Sequence, residues 1–130
     1  MAAQVEYITP GIVRVQWIDP LRLDDAAWAI DECTRLADAQ GDFHYVIIID
    51  LSECSHIPFD IHSLTPFAVL DPRIIAYVVI GADLTARGAM RMLKRATDPQ
   101  YIAVASLEAA VEAAWDALES KVSAPVQHSA

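Results

Sequence analysis

Cysteine, glycine and basic residues are scarce in this chain of 130 residues, and each shortage excludes a class of function. The two cysteines, Cys33 and Cys54, have no CxxC or other metal-like spacing, so the sequence predicts no metal site and no disulfide framework. The four glycines form no G-x-G-x-x-G or Walker-type phosphate-binding pattern, and we expect no cofactor. Only 9 lysines and arginines stand against 18 acidic residues, and the net charge of −9 disfavours nucleic-acid binding, which needs a basic surface.

Long apolar runs are also missing, although the chain as a whole is apolar. Its hydrophobic fraction is 55% and its mean hydropathy is +0.30, yet no run approaches the roughly 20 residues that span a bilayer. The first residues, Met1 to Gln4, have neither the basic stretch nor the apolar core of a signal peptide. We therefore expect a cytoplasmic protein that does not insert into membranes and whose cysteines are reduced.

The apolar residues that are present fall into runs typical of strands. An unbroken apolar run begins at Tyr45 and stops at Asp50-Leu51-Ser52, and it predicts a strand from Tyr45 to Leu51 that is buried on both faces, as in the middle of a helix-covered parallel sheet. A second such run extends from Ile74 to Ile80. Two further runs, from Gln4 to Ile8 and from Ile12 to Ile18, are separated by Thr-Pro-Gly and predict a hairpin. A last short strand is predicted from Tyr101 to Ala105.

Four helical patterns lie between and after these strands. The helices are predicted from Asp25 to Gln40, from Asp60 to Leu70, from the Gly-Ala-Asp after Ile80 to Ala96, and from Ser106 onward. The element order β-β-α-β-α-β-α-β-α predicts an α/β fold with a single mixed, mostly parallel sheet packed with helices.

Cap and core positions follow from the same patterns. Asp24 is placed to cap the first helix and Gly41 to end it. Trp115 is expected in the core, and the last helix is expected to bury one face formed by Leu107, Val111, Ala114 and Leu118. The predicted domain covers residues 1–120, and residues 121–130 lose all periodicity and are predicted to form a flexible tail.

Polar residues cluster directly after the central strand. Asp50 and Ser52 end it, and His56, Asp60 and His62 follow within a dozen residues. A hydrolase needs a sharp turn with small residues on both sides of the serine, and these are absent around Ser52. The pattern instead favours hydrogen bonds from Asp50 and Ser52 to loop amides, and we expect no enzyme. Asp60 and His62 alone cannot supply a closed metal site.

A basic ridge is the most unusual local feature. It consists of Arg87, Arg91, Lys94 and Arg95, which fall at i, i+4, i+7 and i+8 and therefore share one helix face. Such a face is either an ordinary solvated surface or a docking surface for an acidic partner, an anionic ligand or a second copy. In a homodimer the ridge would meet the acidic first helix, with Asp24, Asp25, Asp31 and Glu32.

The residues from Asp50 to Ile57 resemble the STAS family, the domain of sulphate-transporter tails and anti-sigma-factor antagonists. The family signature is D-L-S-x-V-x-x-I-D-S-[ST]-G, in which a phosphorylatable serine begins the second helix. Asp50-Leu51-Ser52-Glu53-Cys54-Ser55-His56-Ile57 follows its first half. Pro58-Phe59-Asp60-Ile61 departs from the second half, because Phe59 replaces the phosphoserine and the glycine is missing. The closing short strand and Ala-rich helix also look like those of the family.

The resemblance implies a regulatory protein–protein interaction module without the usual phosphoswitch, since Phe59 cannot be phosphorylated. The expected partner surface combines the basic ridge with residues at and after the end of the central strand, namely Asp50, Ser52, Ile57, Phe59, Asp60, His62 and Ser63.

A second function remains open. The chain also resembles stand-alone bacterial STAS-like proteins, some of which are thought to bind lipids or other apolar ligands. This alternative implies a carrier or sensor of small apolar ligands, with a pocket between the second and third predicted helices and the sheet. Its expected lining is Phe59, Leu64, Phe67 and Met90.

Overall fold

Five strands form one mixed sheet in the order β1-β2-β3-β4-β5. The computed structural model describes residues 3–54, 71–96 and 99–128. The strands are β1 (Ala3–Thr9), β2 (Ile12–Ile18), β3 (Tyr45–Glu53), β4 (Ile74–Ile80) and β5 (Gln100–Val104). The described residues contain three helices, which are α1 (Leu23–Gln40), α2 (Leu84–Ala96) and α3 (Leu107–His128).

The strand directions confirm the predicted α/β fold with a mixed, mostly parallel sheet. β1 and β2 pair antiparallel, and β2 with β3, β3 with β4 and β4 with β5 pair parallel. The predicted hairpin is present, and Gly11 turns its chain at a φ of +85°, in the region that favours glycine. The helix predicted from Asp60 to Leu70 lies outside the described residues.

Helices cover both faces of the sheet, which explains the unbroken apolar run in β3. Side chains alternate between faces along a strand, so Ile47 and Tyr77 face a core shared with α1 and α2. Val46, Ile48 and Val78 face the opposite core, which α3 covers. Every residue of β3 from Tyr45 to Leu51 is buried, as predicted.

The first helix begins earlier than its sequence predicts. α1 starts at Leu23, and the backbone N–H of Arg22 donates a 3.3 Å hydrogen bond to Asp25 Oδ2. Asp25 therefore stabilises the helix start from inside the first turn, and the prediction of Asp24 as the cap is wrong. Gly41 ends the helix at a φ of +71°, as predicted.

The last helix packs through small residues. Ser106 Oγ accepts a 3.2 Å hydrogen bond from the Ala109 N–H, as expected of a cap. The buried face is centred on Ala110, Ala114 and Ala117.

Two predictions for this helix are wrong, because Leu107 is 40% exposed and Trp115 is 44% exposed. Leu107 is the first residue of the helix, and Trp115 lies about 100° around the helix from Ala114. The backbone stays helical to His128, past the point where the periodicity ends, and a flexible tail over 121–130 stays a prediction. None of the described helices is both long and apolar enough to cross a bilayer.

Candidate functional site

The carboxyl end of β3 holds a buried carboxylate with both oxygens engaged. Asp50 is 4% exposed and faces the side of the sheet that α3 covers. Its Oδ2 lies 2.7 Å from the Arg14 guanidinium on the neighbouring strand β2. Its Oδ1 accepts hydrogen bonds from the Ser52 hydroxyl at 2.6 Å and the Ser52 N–H at 2.9 Å. Asp50 therefore binds Ser52 near the end of its own strand and Arg14 on the neighbouring strand, so its charge is satisfied within the sheet.

The electrostatics of Asp50 do not suit the role of a general base. Burial raises the pKa of Asp50, but the hydrogen bonds from Ser52 and Arg14 outweigh it and hold the pKa below its usual value. A carboxylate held in this way is a weak base, and the Ser52 hydroxyl already donates a hydrogen bond to it. The nearest histidine in sequence among the described residues is His44, which precedes the other end of β3.

The predicted partner surface and apolar pocket both include residues that follow the carboxyl end of β3. The structure brings Asp50 and Ser52 together. The other predicted partner or pocket residues of this segment lie outside the described residues, and they are Ile57, Phe59, Asp60, His62, Ser63, Leu64 and Phe67.

The basic ridge lies on α2 and is exposed along its whole length. Arg87, Arg91, Lys94 and Arg95 all face solvent, while Ala86, Met90 and Leu93 are buried on the opposite side of the helix, as predicted. No carboxylate in the described residues forms an ion pair with any of the four cations. The Arg87 Nε–H donates a 3.1 Å hydrogen bond to the Ala82 carbonyl.

A groove runs between α2 and the edge strand β5. Its volume is about 370 Å³. Three members of the basic ridge line it and Arg95 does not, because Arg95 lies farther around the helix. The lining consists of Leu84, Arg87, Met90, Arg91, Lys94, Tyr101 and Ala103. Met90 is thus the one residue of the predicted apolar pocket that the structure places, and it lies beside cations.

The start of α2 carries its own negative charge. Asp83 Oδ1 accepts a 2.8 Å hydrogen bond from the Ala86 N–H and caps the helix. A carboxylate therefore occupies the place where a free helix N-terminus would attract an anion.

A second polar cluster lies at the amino ends of β3 and β4, and no sequence motif predicts it. Asp71 is buried, and its carboxylate accepts a 2.6 Å hydrogen bond from the Tyr45 hydroxyl. Arg73 binds the same carboxylate with Nε at 2.9 Å and NH2 at 2.7 Å, and its NH2 also reaches Asp38 on α1 at 2.8 Å. The Thr34 hydroxyl lies 3.2 Å from the Tyr45 hydroxyl. These contacts join α1 to the two central strands.

The electrostatics of this cluster fit a structural role. Burial raises the pKa of Asp71, but the bonds from Arg73 and Tyr45 outweigh it and lower the pKa. Burial, and then the bond to Asp71, raise the pKa of Tyr45, which therefore stays a hydrogen-bond donor. The only sequence signal was Asp71-Pro72-Arg73, which indicates a turn and does not reveal a partner on α1.

Metal ligands do not converge in the described part of the chain. No group of three histidine, cysteine, aspartate or glutamate side chains there is arranged to hold a metal ion. Comparison with known proteins adds no assignment, because no protein-family model matches the chain and no curated protein matches its sequence.

Proposed function

We propose that this chain is a non-enzymatic regulatory module that binds a protein partner, similar to the anti-sigma-factor antagonists of the STAS family but without a phosphoswitch at Phe59. One contrast carries the proposal. Both oxygens of Asp50 are engaged inside the fold, whereas the four cations of the basic ridge face solvent without an ion-pair partner in the described residues.

Ion pairs with the basic ridge are too weak to hold a partner without additional apolar contacts. Exposed ion pairs contribute about 0.2–1 kcal/mol each, so four of them cannot reach the roughly 8 kcal/mol of a micromolar complex. Leu84 and Met92 are exposed on the same helix. The partner surface is therefore acidic with apolar residues among its carboxylates. The segment of the chain after β3, with Ile57, Phe59, Asp60, His62 and Ser63, is the other part of the proposed surface.

Affinity capture from the chain's own cell lysate tests this proposal. The immobilised protein is compared with the doubly reversed variant Arg91→Glu/Lys94→Glu and with the Phe59→Ser variant. Arg22→Glu is the control for a charge reversal outside the ridge, because Arg22 is exposed and its single reversal is of the same kind as each of the two in the double variant. We expect a protein that the native chain and the control retain and the double variant loses. Equal retention by all forms, or no retained protein, would contradict the proposal.

A carrier of small apolar ligands is the second candidate function, and Met90 favours it. Met90 was expected to line an apolar pocket, and it lines the groove of about 370 Å³, which is within the usual size range of ligand pockets. Native mass spectrometry of the gently purified protein tests this candidate. A bound molecule that is lost on denaturation supports it, and a bare chain argues against it.

A further inference from the structure

The groove between α2 and β5 has a cationic wall and an apolar lining, and one class of ligand could bind to both. One wall is cationic, because Arg87, Arg91 and Lys94 are spaced by one and two helical turns and face the same side. These are three of only 9 lysines and arginines in a chain of net charge −9. With no carboxylate paired to them in the described residues, they present uncompensated charge to whatever fills the groove.

The other part of the lining is apolar and partly fixed in place. The Tyr101 ring stacks on Tyr77 with centroids 5.3 Å apart and an interplanar angle of 11°. Met90 is buried beneath the cations, and the small Ala103 leaves room beside Tyr101. Leu84 is 85% exposed at the helix start. An apolar body in the groove would bury Leu84 and contact a thioether and an aromatic ring, which suit planar or flexible hydrocarbon groups.

Charge placement decides where a ligand's anionic group would lie. The three cations extend over about 10 Å of the helix axis, and the Asp83 carboxylate occupies the helix start. The anionic group is therefore expected near Arg91 and Lys94, with the apolar body towards Leu84 and Ala103, because α2 begins at the carboxyl end of the parallel strands β4 and β5. A neutral ligand would cover these cations without supplying a counter-charge, which is unfavourable.

We propose that this groove binds a small organic anion with an apolar body, such as an aryl sulfonate or an alkyl carboxylate. The proposal rests on the carrier function and is independent of protein docking, since it requires only the groove. It replaces the purely apolar ligand expected from the sequence with an amphipathic anion.

Methionine-methyl NMR of the full chain tests the proposal, because Met90 lines the groove while Met92 lies on a different side of the same helix. The protein is labelled with ¹³C-methyl methionine and titrated with naphthalene-1-sulfonate, with its neutral isostere naphthalene-1-sulfonamide, and with decanoate. We expect a saturable shift of the Met90 methyl signal with an anion and a much smaller shift of Met92. The two anions distinguish an aromatic body from an alkyl one.

Matched variants test the cations. Arg91→Glu and Lys94→Glu should each weaken binding of the anion by about fivefold to tenfold, while Arg95→Glu, which makes the same charge change outside the groove, should weaken it less than about twofold. Each variant's circular dichroism and unfolding midpoint must match the native protein. Equal weakening by Arg95→Glu, equal shifts of Met90 and Met92, or no saturable shift would overturn the proposal. Equal binding of the sulfonamide would overturn the anionic class and leave the carrier function standing.

Discussion

The Tyr45 hydroxyl donates a 2.6 Å hydrogen bond to the buried Asp71 carboxylate, joining the first residue of β3 to the turn that leads into β4. Arg73 completes the contact, since its guanidinium binds Asp71 and lies 5.6 Å from the centre of the Tyr45 ring. The carboxylate is therefore held by donors from two residues, Tyr45 and Arg73, and removing either side chain leaves a buried charge less well satisfied.

Replacing Tyr45 with phenylalanine should destabilise the fold. Tyr45→Phe removes a hydrogen bond to a buried charged group, and we expect a loss of about 1.5–3 kcal/mol in the free energy of unfolding, measured by urea denaturation. Tyr7→Phe is the matched control, because the Tyr7 hydroxyl donates a 2.8 Å hydrogen bond to Asp42 at a more exposed site. Its loss should be about 0.5–1.5 kcal/mol. Equal losses of unfolding free energy in the two variants would show that burial of the carboxylate does not strengthen the hydrogen bond.

The lowered pKa of Asp71 predicts part of the acid sensitivity of the protein. The unfolded carboxyl binds its proton near the ordinary pKa of 3.8, and the folded one binds it only at lower pH. The contribution of Asp71 is thus complete above about pH 4 and is lost as the pH falls further, towards the folded pKa. Asp71→Asn should lower stability near pH 7 and reduce the further loss of stability that occurs below about pH 4.

The acid effect has a clear control. The control is Asp24→Asn, which makes the same substitution at an exposed carboxylate on α1, and the pH profile of Asp71→Asn is compared with it. Some acid sensitivity should persist in Asp71→Asn, because Asp50 also has a lowered pKa. A pH profile identical to that of the native protein would mean that Asp71 is not held as a carboxylate in the fold.

Strands buried on both faces could be predicted closely from the sequence. The predicted run from Ile74 to Ile80 coincides with β4, and the run from Tyr45 to Leu51 lies within β3. Nearly every position in such a strand is apolar, so the length of the strand can be read from the sequence without a periodic pattern. The start of α1 was missed because two neighbouring aspartates compete for the cap, and only the backbone geometry shows that Asp25 accepts the Arg22 N–H.

The polar cluster and the groove could not be predicted, because each joins residues that are distant in sequence. Asp38 meets Arg73 only because α1 ends beside the start of β4. Tyr101 and Ala103 line the groove only because β5 is the last strand of the sheet and lies beneath α2. The spacing of the basic ridge could be read from the sequence, but the apolar lining of the groove depends on how β5 packs against α2.

Homodimerisation through the ridge predicts a salt-sensitive complex. On α1, Asp24 and Asp31 are exposed, but Glu32 pairs with Arg35 and Asp25 holds the Arg22 N–H. Fewer carboxylates are therefore available to a second copy than the sequence suggested. We expect any dimer seen by sedimentation velocity at about 50 mM salt to dissociate at about 500 mM. Arg91→Glu should abolish it and Arg22→Glu should not, whereas a monomer in both salts would exclude this dimer.

Two glycines with equally open surroundings should respond oppositely to alanine. A Cβ at Gly88 or at Gly41 would meet no atom within 4 Å, but Gly41 has a φ of +71° and Gly88 has no positive φ. Gly88→Ala should raise the free energy of unfolding by about 0.5–1 kcal/mol, because Gly is a poor helix former. Gly41→Ala should lower it by about 1 kcal/mol or more, because alanine is strained at positive φ. Changes of the same sign would contradict this backbone assignment.

The Arg14–Asp50 pair decides whether Asp50 supports the fold or is available to a partner. Arg14→Gln should cost about 1–3 kcal/mol by leaving Asp50 Oδ2 without its cation. This is less than the loss for a fully buried pair, because the Arg14 side chain is 22% exposed.

A double-mutant cycle then measures the coupling between the two groups. The combined variant Arg14→Gln/Asp50→Asn should be less destabilised than the sum of the single variants by about 1 kcal/mol or more, as measured by urea denaturation. Such a coupling would mean that the Asp50 charge is neutralised by Arg14 within the sheet. Partner binding would then rely on the basic ridge and on the segment after β3. A coupling near zero would instead mean that Arg14 does not neutralise the Asp50 carboxylate in the folded chain.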